Sequence, residues 1–207
     1  MAEGWDLVAQ ERRAFADLIE GLSAEQAGQP SLCGHWTVHQ VAAHLLTFTE
    51  LSLPAFMFNM ARNGFDYDKA ADKIAQRFAS ESSIPEIAAL LRARAGKKSA
   101  LPMFPPEMTL ADVTIHRQDI RRALGLGTDL DEDVARTVLS FLTTRKQAKN
   151  IYDPSIIDGL RLEATDIGWS HGSGAEVTGP AEAIMMALAG RPVGDDIGGE
   201  GAAKLSR

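Results

Sequence analysis

Asp112 and His116 stand four residues apart in a segment of helical periodicity, so both side chains project from one face about one turn apart. An imidazole with a carboxylate suits a divalent ion such as zinc, nickel or iron, and a third ligand must then come from another element. His44 is the natural candidate. It lies one turn into a second helix, between Ala43 and Leu45, and an antiparallel bundle can bring that face against the first. A plainer reading stands beside this one: a His among Val41, Ala42, Leu45 and Leu46 can be a hydrogen-bonded core residue, and Asp-x-x-x-His is short enough to arise by chance. His35 and His39, at the loop and cap before that helix, and His171, in a Gly-rich hairpin, read as structural or solvated. Asp119, three residues after His116, either accepts that ring's second N–H or pairs with Arg122. The one basic cluster, Arg117, Arg121 and Arg122, reads as a solvated helix face. Cys33 is the only cysteine, which excludes an internal disulfide and a multi-cysteine zinc site. Its place ahead of Trp36 and Thr37 suits a small packed side chain better than a nucleophile.

The elements that must position these groups can be read from periodicity and caps. Trp5, Leu7, Val8, Phe15, Leu18, Ile19 and Leu22 mark an amphipathic helix over 5–22. Thr37 with Gln40 forms a capping-box pattern that starts a long helix to about Asn63, bent near Pro54. After the Asn63-Gly64 break comes a shorter piece over 68–78, and Ser83 with Glu86 opens a helix up to Gly96. Three prolines between Pro102 and Pro106 make a rigid connector, and Thr109 caps the helix that carries Asp112 and ends at Gly125. A further helix over 131–146 completes a bundle near residue 150. Beyond it, Leu160 to Ala164 alternates like a strand, glycines at 168, 172 and 174 suggest a hairpin, and Gly179-Pro180 starts a helix through Leu188. The expectation is a mostly α protein: a helical bundle over 1–150 and a small α+β domain over 151–207, with an irregular Gly-rich tail from Gly194.

Bulk properties narrow the partners. The 207 residues carry 21 Lys plus Arg against 28 Asp plus Glu, a net charge of −7, with a pI near 5.2, which repels nucleic acid overall. No basic stretch followed by an apolar run opens the chain, and the most apolar region, 41–60, is interrupted by His44, Glu50 and Pro54. A cytoplasmic protein without membrane contact is expected, as a monomer or homodimer.

The segment Cys33-Gly34-His35-Trp36-Thr37-Val38, with Val41-Ala42-Ala43-His44-Leu45, resembles the signature of the DinB-like, mycothiol-dependent maleylpyruvate isomerase family. Leu110-Ala111-Asp112-Val113-Thr114-Ile115-His116-Arg117-Gln118-Asp119-Ile120 is similar to the family's carboxylate-x-x-x-His-x-x-Asp helix. Gly159 to Asp166, Val177-Thr178-Gly179-Pro180 and Leu188-Ala189-Gly190-Arg191 resemble its appended C-terminal domain. The resemblance implies a four-helix bundle holding one zinc-type ion, with nickel or iron as alternatives, through His44, Asp112 and His116. It also implies mycothiol as cosubstrate, a small electrophile as substrate, and either isomerisation or S-transfer as the reaction. Arg191 matches the family's arginine that handles the anionic substrate; a helix-end arginine satisfying carbonyls is its structural alternative. Asp112 departs from the glutamate of characterised members by one methylene. The rival from another class is a non-catalytic small-ligand-binding module whose metal is structural or absent.

Overall fold

The computed structural model describes residues 4–99, 104–144, 148 and 154–205. The chain divides into two compact units, Met1–Leu126 and Gly127–Arg207.

In the first unit, α1 (Gly4–Glu20) buries Val8, Phe15 and Ile19, and the short α2 (Ala24–Gly28) follows Ser23, whose cap is reciprocated by Gln26. α3 (Val38–His44) begins at the expected box: the Thr37 hydroxyl accepts the Gln40 N–H, and the Gln40 side chain accepts the Thr37 N–H. Such a cap contributes about 1 kcal/mol. One bent helix to Asn63 is expected, but the structure has three pieces, continuing as α4 (Thr47–Glu50) and α5 (Leu53–Arg62). Directly after His44 the hydrogen bonding tightens, with the Leu46 N–H on the Ala43 carbonyl at 3.1 Å. At Leu51 the backbone is extended, and Ser52 then caps α5 with a proline in its first turn. Pro54 therefore starts a helix rather than bending one, because a first-turn residue needs no N–H.

Next come α6 (Tyr67–Glu81), capped by Asp66, and α7 (Ile84–Ala93), where the Ser83 N–H donates to Glu86 Oε2 at 2.7 Å. α8 (Pro106–Ala123) starts one turn earlier than expected. Pro105 holds the cap position and a proline opens the first turn, so Thr109 lies fully buried inside the helix instead of capping it. Pro102 and Met103 of the connector lie outside the described residues. The helix stops where expected, at Gly125 with φ 63°. α1 packs along α7 and α8, and α3 against α6, α7 and α8. Phe15, Ile19, Val41, Leu45, Ile87, Leu91, Val113 and Ile120 fill the space between them. A second apolar cluster joins Phe48, Leu51, Phe56, Ile74 and Phe104.

The second unit holds α9 (Glu132–Thr144), β1 (Leu160–Ala164), β2 (Trp169–Gly172), β3 (Ala175–Gly179), α10 (Ala181–Leu188) and α11 (Ala202–Leu205). β1 and β2 form the expected hairpin, while β3 pairs in parallel with the other edge of β1, giving the order β2-β1-β3. To reach that edge the chain crosses the start of β1 so closely that a Cβ on Gly174 would stand 2.1 Å from the Gly159 carbonyl oxygen. Only glycine fits there, and its φ of 128° also favours it. α9, counted with the bundle in the sequence reading, packs against α10 instead, so the division falls at Leu126–Gly127 and not near 150. Lys146, its expected end, lies outside the described residues. The tail, expected to be irregular, forms a short turn at Gly194–Asp196 and α11. The mostly α class with a small C-terminal sheet is as expected. No described helix is long and apolar enough to cross a membrane.

Candidate metal centre

The last residue of α3 and one face of α8 meet in the first unit. His44 Nε2 and His116 Nε2 each stand 3.6 Å from the same oxygen, Asp112 Oδ1. Both imidazoles are buried, and the carboxylate is partly open to solvent. That separation is too long for a good hydrogen bond. It is close to the spacing of about 3.4 Å expected between two ligand atoms each about 2.1 Å from a shared tetrahedral ion. Among the described residues the three ligand atoms lie within 4.8 Å of one another. Asp112 Oδ2 and His44 Nδ1 are buried without a hydrogen-bond partner. Two nitrogens, a carboxylate oxygen and an orphaned second oxygen fit a borderline divalent ion such as zinc.

The surroundings orient the set. His116 Nδ1 meets Asp119 Oδ2 at 3.0 Å, and Asp119 is fully buried, so the orienting role is the one the structure shows for this carboxylate. That contact fixes which nitrogen faces Asp112. The Trp36 ring lies 5.0 Å from His44 and 6.3 Å from His116 between centroids, and Phe48 meets His44 edge-on at 5.9 Å. Asp72 of α6 holds Trp36 in place, accepting its indole N–H at 3.0 Å.

Burial pushes the Asp112 carboxyl up, but the imidazole of His44 and the charges of His116 and Arg12 outweigh it and hold the group below the ordinary range. Burial likewise depresses His116, yet its contacts with Asp119 and Cys33 and the charge of Asp112 raise it well above a free imidazole. Protons would therefore compete with any cation at this ring.

The remaining residues singled out from the sequence fall elsewhere or differently. Cys33, read as packing only, lies beside the centre: its sulfur, a nitrogen of His116 and an oxygen of Asp119 form a second group within 4.8 Å. His35 contacts Asp72 at 3.0 Å, His39 contacts the Ser82 carbonyl at 2.8 Å, and His171 stacks on Trp169. Arg117 corrects the solvated-face reading of the basic cluster. It is buried and makes a bidentate pair with Glu11 of α1, both contacts at 3.0 Å, because it shares a helix face with Val113 and Ile120. Arg191 belongs to the second unit, where its Nη1 donates to the Ala189 carbonyl at 2.8 Å. Sequence reasoning missed Arg12, Trp36 and Tyr67 as neighbours of the centre. Trp36 stood in a motif already noted, and Arg12 interrupts an apolar stripe.

A family model described as the mycothiol maleylpyruvate isomerase N-terminal domain matches residues 8–121, which contain every residue of the centre. The chain belongs to that family. Two solved structures resemble this member of the family over nearly its whole length. One is a crystal structure of the mycothiol-dependent maleylpyruvate isomerase, 18% identical, covering 97% of this chain and 96% of that chain at a TM-score of 0.57. The other is a histidine-to-alanine mutant of a protein of that name, 17% identical with the same coverage and a TM-score of 0.53. At such identities the likeness is one of fold. A search of the curated proteins finds no match.

Proposed function

We propose that this family member is a metal-dependent enzyme that uses mycothiol to isomerise maleylpyruvate or a related small electrophile, with zinc at His44, Asp112 and His116. The observation that carries the reading is the convergence of three ligand atoms from α3 and α8, within 4.8 Å, inside the segment the family model matches. Bound there, a divalent ion supplies the positive charge that lets a thiol lose its proton at neutral pH. Asp119 orients His116, and Trp36 shields the two imidazoles from water. Arg191 recognises a substrate carboxylate, which a guanidinium matches in two hydrogen bonds. In the thiol chemistry, sulfur adds to one carbon of the activated double bond, the resulting single bond rotates, and the C–S bond breaks to return the thiol. A reducing cytoplasm is the compartment in which such a thiol and Cys33 stay reduced.

The test is to incubate zinc-loaded protein with maleylpyruvate, with and without mycothiol, and follow both substrate geometry and free thiol. Isomerisation with the thiol recovered is the expected result. Stoichiometric loss of thiol would assign S-transfer instead. No thiol-dependent reaction across a panel of electrophiles would overturn the enzyme reading in favour of a binding module.

A further inference from the structure

A cation lies in the core of the bundle. Arg12 of α1 is 1% exposed, and its Nη1 donates to three carbonyls that follow α7, those of Arg94 at 3.5 Å, Ala95 at 3.1 Å and Lys97 at 2.6 Å. Its other terminal nitrogen, Nη2, is buried with no partner. Isolated buried charge is expensive, so a guanidinium persists here only with compensation nearby. Burial lowers its pKa to about 10 and Asp112 opposes that shift, which leaves Arg12 charged at neutral pH. Arg12 follows Glu11, whose carboxylate pairs at 3.0 Å with Arg117, the neighbour of His116, so α1 lays the guanidinium against the helix of the centre, where Asp112 Oδ2 is a second buried orphan.

The other charges around Arg12 offset one another or face solvent. Glu11 of α1 is matched by Arg117 of α8, and Arg94 by Glu50 of α4. Lys97 is exposed and binds the Thr49 carbonyl. Tyr67 of α6 is 40% exposed, and desolvation of its hydroxyl with the charge of Asp112 keeps it neutral. Asp112 and Asp119 of α8 remain, with the imidazoles of His44 and His116. Those two carboxylates balance a divalent ion, and Arg12 then leaves one net positive charge.

We infer that Arg12 is a positioning residue of the centre, whose fixed charge makes the metal-loaded site select the anionic form of an incoming ligand, a thiolate over a thiol. The inference rests on the metal reading above. Arg12, His44 and His116 are all buried, and in such surroundings a unit charge changes the binding of a nearby anion by about tenfold. The three carbonyls hold the guanidinium in place, so the selection needs no rearrangement when ligand arrives.

The experiment uses cobalt as the metal and 2-mercaptoethanol as the thiol. Cobalt uptake and the thiolate-to-cobalt absorption are measured against pH for wild type, Arg12→Gln and Arg12→Lys. Gln keeps an N–H for the α7 carbonyls but removes the charge, whereas Lys keeps the charge. Arg12→Gln should move the pH midpoint of thiol binding up by about one unit and weaken it about tenfold at neutral pH, with Arg12→Lys near wild type. A purely structural role would lower cobalt uptake and leave the midpoint in place, which would overturn the inference. Identical midpoints in cobalt-loaded wild type and Arg12→Gln would overturn it alone, leaving the metal reading intact. If Arg12→Gln does not fold, Arg12→Met takes its place: a midpoint raised by about one unit supports the inference and an unmoved midpoint overturns it. A wild type that takes up no cobalt would remove the metal reading and this inference together.

Discussion

His44, Asp112 and His116 differ in what stands behind them, and that grades the cost of changing the surroundings. Replacing any one of the three by Ala should strip most bound metal, read by elemental analysis. Helicity by circular dichroism should persist, because Phe15, Val41, Ile87 and Ile120 hold the bundle without an ion. Asp119→Asn should cost about 10- to 100-fold in metal affinity, since an amide no longer fixes the His116 ring as a carboxylate does. Cys33→Ala should keep its metal and most activity, because an external thiol makes a protein nucleophile redundant. A folded, metal-loaded but inactive variant would mean that Cys33 serves the reaction from its place beside His116. That His44, Asp112 and His116 come together was legible in the sequence as a spacing and a motif. Glu11 and Arg12 were not: the apolar stripe of α1 runs from Val8 to Phe15 with a gap, and two buried charges fill it. A charged residue at a core position looks on the page like a surface residue until its partner is known, and Arg117 lies more than a hundred residues away.

Between elements, the Glu11–Arg117 pair ties α1 to α8, the helix that carries Asp112 and His116. Glu11→Gln or Arg117→Met alone leaves one buried charge and should cost about 3–5 kcal/mol in denaturant unfolding. The double variant should cost much less than the sum, and strict additivity would show that the pair does not act as a unit. Asp72 plays a comparable part for α6. Burial pushes its carboxyl up, but the N–H groups of Trp36, His35 and Gln76 more than offset this and hold it below the ordinary carboxylate range. A depressed folded value means that its stabilisation is present above the unfolded pKa and lost as pH falls through the folded one. The gap in melting temperature between wild type and Asp72→Asn should therefore be constant above about pH 5 and close as the pH drops below about 4. Helix starts were legible at the capping boxes of Thr37 and Ser83, whereas the caps at Ser23 and Ser52 were not read. The breaks between α3, α4 and α5 were not, because a tightened turn after His44 leaves no compositional mark.

For the molecule as a whole, the sequence showed a change of texture after residue 150, and the division lies earlier, at Leu126–Gly127. An amphipathic helix does not announce which apolar partner it will meet, and α9 meets α10. Within the second unit, Gly174→Ala should lower stability by more than about 2 kcal/mol in thermal unfolding, because a Cβ there meets backbone that cannot give way. The tail matters for a different reason. Thr178 and Gly198 exchange hydrogen bonds at 2.8 Å in both directions, and the Gly201 N–H adds another to the Glu176 carbonyl at 2.8 Å. These few contacts stopper the outer edge of β3. Ending the chain at Ile197 would uncork that edge and leave its amides and carbonyls looking for another strand, and in concentrated solution the nearest supply is a sister molecule. Such a shortened protein should gain a concentration-dependent rise in light scattering while its helical signal holds, so this modest tail acts as the molecule's guard against aggregation.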